Sequence, residues 1–95
     1  LAGVIAMKEL NIKLKNMDDI VRFSSIMSEF DIEAYCANSK YVVDAQSLMG
    51  LFSLDLKSDI QLMLMSDDEK LTDTIENYIS QFIIEQKQNE KDTNL

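Results

Sequence analysis

Hydrophobic positions change period several times along this chain, and each change marks an element. Leu10, Ile12 and Leu14 alternate with Asn11, Lys13 and Lys15, the period of two that marks a strand with one face buried. Asn16 then offers a helix N-cap, with Asp18 and Asp19 in the first turn where the helix dipole favours acids. Ile20, Phe23, Met27 and Phe30 recur every three or four residues, predicting a first helix over roughly 17–29. Ile32, Ala34 and Cys36 alternate with Glu33 and Tyr35 as a second strand. The turn pair Asn38-Ser39 leads into a third strand at Tyr41-Val42-Val43, so these two strands read as a hairpin. Ser47 to Phe52 is too short and apolar to stand as a free helix and is expected to survive only by packing.

The second half repeats the logic. Ser58-Asp59 marks a turn, and Ile60, Leu62 and Leu64 alternate with Gln61, Met63 and Met65 as a fourth strand. Ser66-Asp67-Asp68-Glu69 has the spacing of a capping box. Leu71, Ile75, Tyr78, Ile79, Phe82 and Ile83 follow at helical spacing, predicting a last helix over roughly 67–86. From Gln86 the pattern is lost, and 87–95 is expected to be a disordered C-terminal tail. The order is strand-helix-strand-strand-helix-strand-helix. It predicts an α+β sandwich, with helices on one sheet face and water on the other.

Composition narrows what such a domain does. The 95 residues, 46% hydrophobic, suit one domain, expected over 7–86, with room for one core but not for a deep substrate cavity. Residues 1–6 are apolar without a basic start, and Met7-Lys8-Glu9 reads as the initiation point, leaving 1–6 as an expression remnant or a misassigned start. No apolar run reaches the ~18 residues of a membrane span, so a soluble protein is expected. A net charge of −8 argues against nucleic-acid and anionic-membrane partners. The lone Cys36 suits a reducing cytoplasm and its place in the strand pattern makes it a core residue. With no histidine and one cysteine, a zinc site would need carboxylates almost alone and the usual general base is absent, so no catalytic residue, metal ligand or cofactor is expected. Asp18-Asp19 and Asp67-Asp68-Glu69 fit helix N-terminal charge better than cation binding.

One segment carries more than spacing. Tyr41-Val42-Val43-Asp44-Ala45-Gln46-Ser47-Leu48-Met49-Gly50-Leu51-Phe52-Ser53-Leu54 resembles the third strand and regulatory-serine helix of HPr, the phosphocarrier of the bacterial sugar phosphotransferase system. The resemblance covers about residues 8–85 in element order and implies the HPr-like open-faced sandwich, a four-stranded antiparallel sheet with helices on one face. It also implies regulatory phosphorylation at Ser47 and a partner-binding role for Leu48, Met49 and Phe52. The partners implied are an HPr kinase/phosphorylase-like enzyme and a catabolite-control regulator or metabolic enzyme, in bacterial cytoplasm.

The departure from the family is as plain. Where members carry glycine, an aliphatic residue, the phosphorylated histidine, a small residue, arginine and proline, this chain has Lys15-Asn16-Met17-Asp18-Asp19-Ile20. Two carboxylates stand where the phosphoryl anion would form, and like charges a few ångströms apart repel by about 1–4 kcal/mol depending on the effective dielectric. An aspartyl phosphate would need a metal and a lysine that nothing here supplies. The expectation is a non-enzymatic, HPr-like regulatory protein-binding module without the phosphorylatable histidine. The alternatives are a divergent HPr-fold scaffold, or a small subunit of a larger assembly, with no phosphorylation role. Ser47 has a second, sufficient role as N-cap of the short helix, worth about 1 kcal/mol.

Overall fold

The computed structural model describes residues 7–84. The expectations for 1–6 and for the tail 87–95 lie outside the described residues. The elements run β1 (Lys8–Ile12), α1 (Met17–Met27), β2 (Glu33–Ala37), β3 (Val42–Asp44), α2 (Leu48–Phe52), β4 (Ile60–Met65), α3 (Glu69–Tyr78) and a 3-10 turn at Ser80–Phe82. The strands form one sheet in the order β1-β4-β2-β3, and every pair is antiparallel. The last strand in sequence is thus inserted between the first two. The predicted α+β open-faced sandwich is the observed architecture.

Strand alternation sorts the side chains. Ile12, Ala34, Cys36, Ile60, Leu62 and Leu64 are buried on the helical side. Against them pack Ile20, Phe23 and Met27 of α1, Leu51 of α2, and Ile75, Ile79 and Phe82 from the C-terminal segment. The β1 ladder ends at Ile12 because its partner β4 begins opposite it, at Ile60. Leu14 is nevertheless fully buried beyond the strand.

Three expectations need correction. The last helix does not run to 86: α3 stops at Tyr78, and the chain turns through Ser80–Phe82 before Ile83 bridges Ile12 antiparallel. Ile79, Phe82 and Ile83 hold helical spacing, yet the open edge of β1 takes the backbone instead. The Lys13 amide donates to the Phe82 carbonyl at 2.8 Å, and the Ile84 amide to the Asn11 carbonyl at 2.9 Å. An unpaired edge at the core is the stronger demand, and Phe82 ends in edge-to-face contact with Phe23 (centroids 5.7 Å apart).

Nor is there a Ser66–Glu69 capping box. Asp68 is the N-cap, its carboxylate accepting from the Leu71 amide at 3.2 Å, while Ser66 Oγ accepts from the Asp68 amide at 3.0 Å. Several capping residues stood in a row, and the helix started two positions later than the box requires. The first helix also ends sooner than position 29. Ser28 is its C-cap, folding its hydroxyl back to the Ser24 carbonyl at 2.8 Å.

Candidate functional site

Ser47 begins α2 from an extended backbone (φ −93°, ψ 111°), and its Oγ accepts from the Gly50 amide at 3.1 Å. Ser53 closes the other end, donating its hydroxyl to the Gly50 carbonyl at 2.6 Å. The helix has five residues and is held in place by what it touches. Leu51 is fully buried in the core. A Cβ on Gly50 would stand 3.1 Å from Cβ of Val43 and 3.3 Å from Oγ of Ser47. The missing side chain is what lets α2 lie directly on β3.

That seating leaves apolar surface outside. Leu48 is 39% exposed, Phe52 40% and Met49 83%. Ser47 is half-buried at the edge of this cluster. Just before it, the Asp44 carboxylate accepts from the Gln46 amide at 2.8 Å. The Gln46 side-chain amide donates to the carbonyls of Met27 and Phe30, at 2.9 and 3.0 Å. The Gln46 carbonyl in turn accepts from the hydroxyl of buried Ser24 at 3.2 Å. One glutamine thereby joins the end of α1 to the start of α2. This role escaped the sequence, because its partners lie 16 and 19 residues away.

Exposed Met17 and Val21 of α1 were also missed. They lie four apart, off the buried Ile20–Phe23–Met27 stripe, and a helical projection gives that signal.

The α1 N-terminus is closed by its own side chains. Asn16 Oδ1 accepts from the Asp19 amide at 2.9 Å, and Asp19 Oδ2 accepts from the Lys15 amide at 2.9 Å. This is a reciprocal cap. It occupies the helix end where a phosphohistidine would need its donors free, and it adds negative charge there. Among the described residues no cluster of acids and cysteine has the arrangement of a metal site. Cys36 is buried, and its pKa is pushed up to about 12, first by burial and then by the Asp44 charge.

The fold, with a capped serine before a short, half-exposed helix, is of the HPr-like class, and the chain contains no histidine. The solved structures agree on that class. The chain is similar to HPr-C-His from Thermoanaerobacter tengcongensis (27% identity, TM-score 0.57), over 77% of this chain and 96% of that one. It is similar in fold to the phosphocarrier protein HPr from Bacillus anthracis (22% identity, TM-score 0.55), over 80% of this chain and 98% of that one. The same holds for Crh, the Bacillus subtilis catabolite repression containing protein described as a domain-swapped, intertwined dimer. That match has 18% identity and a TM-score of 0.54 and covers 78% of this chain and 88% of the other. No protein-family model matches the sequence and no curated protein does. One of these neighbours is named a phosphocarrier protein, and no described helix of this chain is long and apolar enough to cross a membrane.

Proposed function

We propose that this chain is a regulatory, non-enzymatic protein-binding module of bacterial cytoplasm that docks through Leu48, Met49 and Phe52 and is controlled by phosphorylation of Ser47. The observation that carries the reading is Met49, 83% exposed on a helix whose Leu51 is fully buried, two positions from the serine. An adaptable thioether among half-exposed apolar neighbours suits a docking contact. The absence of histidine supports the negative half, that no phosphoryl group passes through this chain by imidazole. The modifying enzyme would be of the HPr kinase/phosphorylase kind, moving the γ-phosphoryl of ATP to Ser47 Oγ as the hydroxyl proton leaves and ADP departs. The reader would be a catabolite-control regulator or a metabolic enzyme.

The test is incubation with such a kinase and ATP. Mass gain mapped to Ser47 and absent in Ser47→Ala is the expected result. An unmodified chain would favour a scaffold that has kept the fold and lost the switch. In parallel, phosphoenolpyruvate and enzyme I should leave the chain unlabelled; stoichiometric acid-labile phosphate would refute the negative half. Ser47→Ala also removes the cap and should lower stability by about 1 kcal/mol. Met49→Ser supplies a partner-binding variant with little effect on folding, since its side chain is almost wholly outside.

A further inference from the structure

The sheet face turned away from the helices carries its own pattern. Cross-strand register sets Met63 beside Tyr35 and Glu9, and Tyr35 beside Asp44. Met65 is opposite Glu33, and Val42, 65% exposed, is opposite Ala37. An apolar stripe therefore crosses the face diagonally from Met65 through Met63 and Tyr35 to Val42. Glu9 borders it on one side, and Glu33 and Asp44 on the other. The hydrogen bonds confirm that these side chains share the face: Tyr35 Oη donates to Glu33 at 2.5 Å, and Gln61 Nε2 to Glu9 at 3.1 Å.

Every ionised group at these strand positions is acidic, and none is Lys or Arg. Lys13, just past β1, turns its ammonium to the Lys57 carbonyl and Asp59, at 3.3 and 4.0 Å. The helical side differs, since Arg22 and Lys70 stand there among the acids. Charge complementarity thus selects the occupant. A second copy of the chain would bring Glu9, Glu33 and Asp44 against themselves, and a nucleic acid would bring phosphates against them. Strand addition is not what this surface offers either, because it is a face and not an edge. A helix laid across it would cover Met63, Met65 and Tyr35, half-buried on a face that otherwise meets water, and two methionines give a contact that adapts to the arriving side chains.

We propose that this open face docks an amphipathic cationic helix of a partner protein, its apolar stripe over Met65, Met63, Tyr35 and Val42 and its Lys or Arg flanks against Glu9, Glu33 and Asp44. The surface is separate from α2, so the proposal does not rest on the reading of Ser47.

The experiment titrates the isotope-labelled full chain with a synthetic amphipathic peptide that has leucines on one helical face and lysines along both flanks. Amide shifts are expected in β2, β3 and β4 with Leu48–Phe52 unmoved, and affinity should fall as salt rises. Glu33→Gln combined with Asp44→Asn, which keeps shape and hydrogen bonding, should weaken binding roughly tenfold. Met63→Lys should abolish binding in a chain whose spectrum remains dispersed. No shifts, shifts on the helical side, equal binding of the same peptide with glutamates for lysines, or indifference to the double variant would each overturn the proposal.

Discussion

At Gln46, Gly50 and Cys36 a single side chain decides what its element does. Gln46 satisfies two carbonyls at the end of α1, where no basic residue stands in the last turn. Gln46→Ala takes the side-chain donor from both, leaving the Met27 carbonyl only the Phe30 amide at 3.2 Å, and should cost about 1–3 kcal/mol, read as a lower urea midpoint. Gln46→Glu should cost more, since it turns a carboxylate toward carbonyl oxygens. Gly50 weakens a helix interior, and the reason it stands there, Val43 Cβ across the gap, required the position of β3. Ser47 and Asn16 were legible as caps because each bonds an amide only three residues on. Cys36 was legible from alternation alone. With its thiol pushed up to about 12, mainly by burial, a thiolate-directed disulfide reagent at neutral pH should leave it unmodified in the native protein and label it at once in denaturant. Rapid native labelling would place Cys36 outside the core.

Among the elements, β1, β2, β4 and α1 were readable because their periods of two and three-to-four coincide with actual burial, while β3 was readable from its β-propensity after the Asn38-Ser39 turn. The C-terminal segment was not, because Ile79, Phe82 and Ile83 satisfy a helical period while serving a sheet edge. Only the three-dimensional proximity of β1 decides between those two uses. Phe82→Ala therefore removes both a buried ring and the anchor of that edge, and should destabilise by about 3–5 kcal/mol.

The β1–α3 contact has a polar counterpart. Lys8 reaches Glu76 at 2.6 Å and Asp73 at 3.0 Å, and its pKa is raised chiefly by the hydrogen bond to Glu76, then by that to Asp73. Half-exposed pairs of this kind contribute no more than about 1 kcal/mol. The folded state favours the ammonium form. Its contribution is therefore complete below the ordinary lysine value of 10.5 and is lost as pH climbs through the raised folded value. The stability difference between the native chain and Lys8→Met should hold constant from neutral pH to the ordinary value of 10.5, shrink above it and be gone beyond the raised folded value.

Seen whole, the molecule separates two surfaces by one layer of core. Its helical side carries the capped serine and the exposed apolar residues of α2, and its sheet side carries acids around methionines. Only the first surface was legible from the sequence, because α2 alone gives it; the second exists only after β4 enters between β1 and β2. The charge distribution follows the same division and has a consequence for stability. With 17 acids against 9 bases, and Glu9, Glu33 and Asp44 gathered on the open sheet face, folding concentrates like charge. The ion pairs among the described residues all involve Lys8 or Lys13 and are partly exposed, so screening removes little attraction while it relieves much repulsion. Moderate concentrations of a monovalent salt should therefore raise Tm. Glu33→Gln combined with Asp44→Asn should raise Tm at low salt and reduce its salt dependence. A Tm that falls on adding salt would mean that ion pairs outweigh repulsion, and that the acidic face is not the electrostatic burden its register implies.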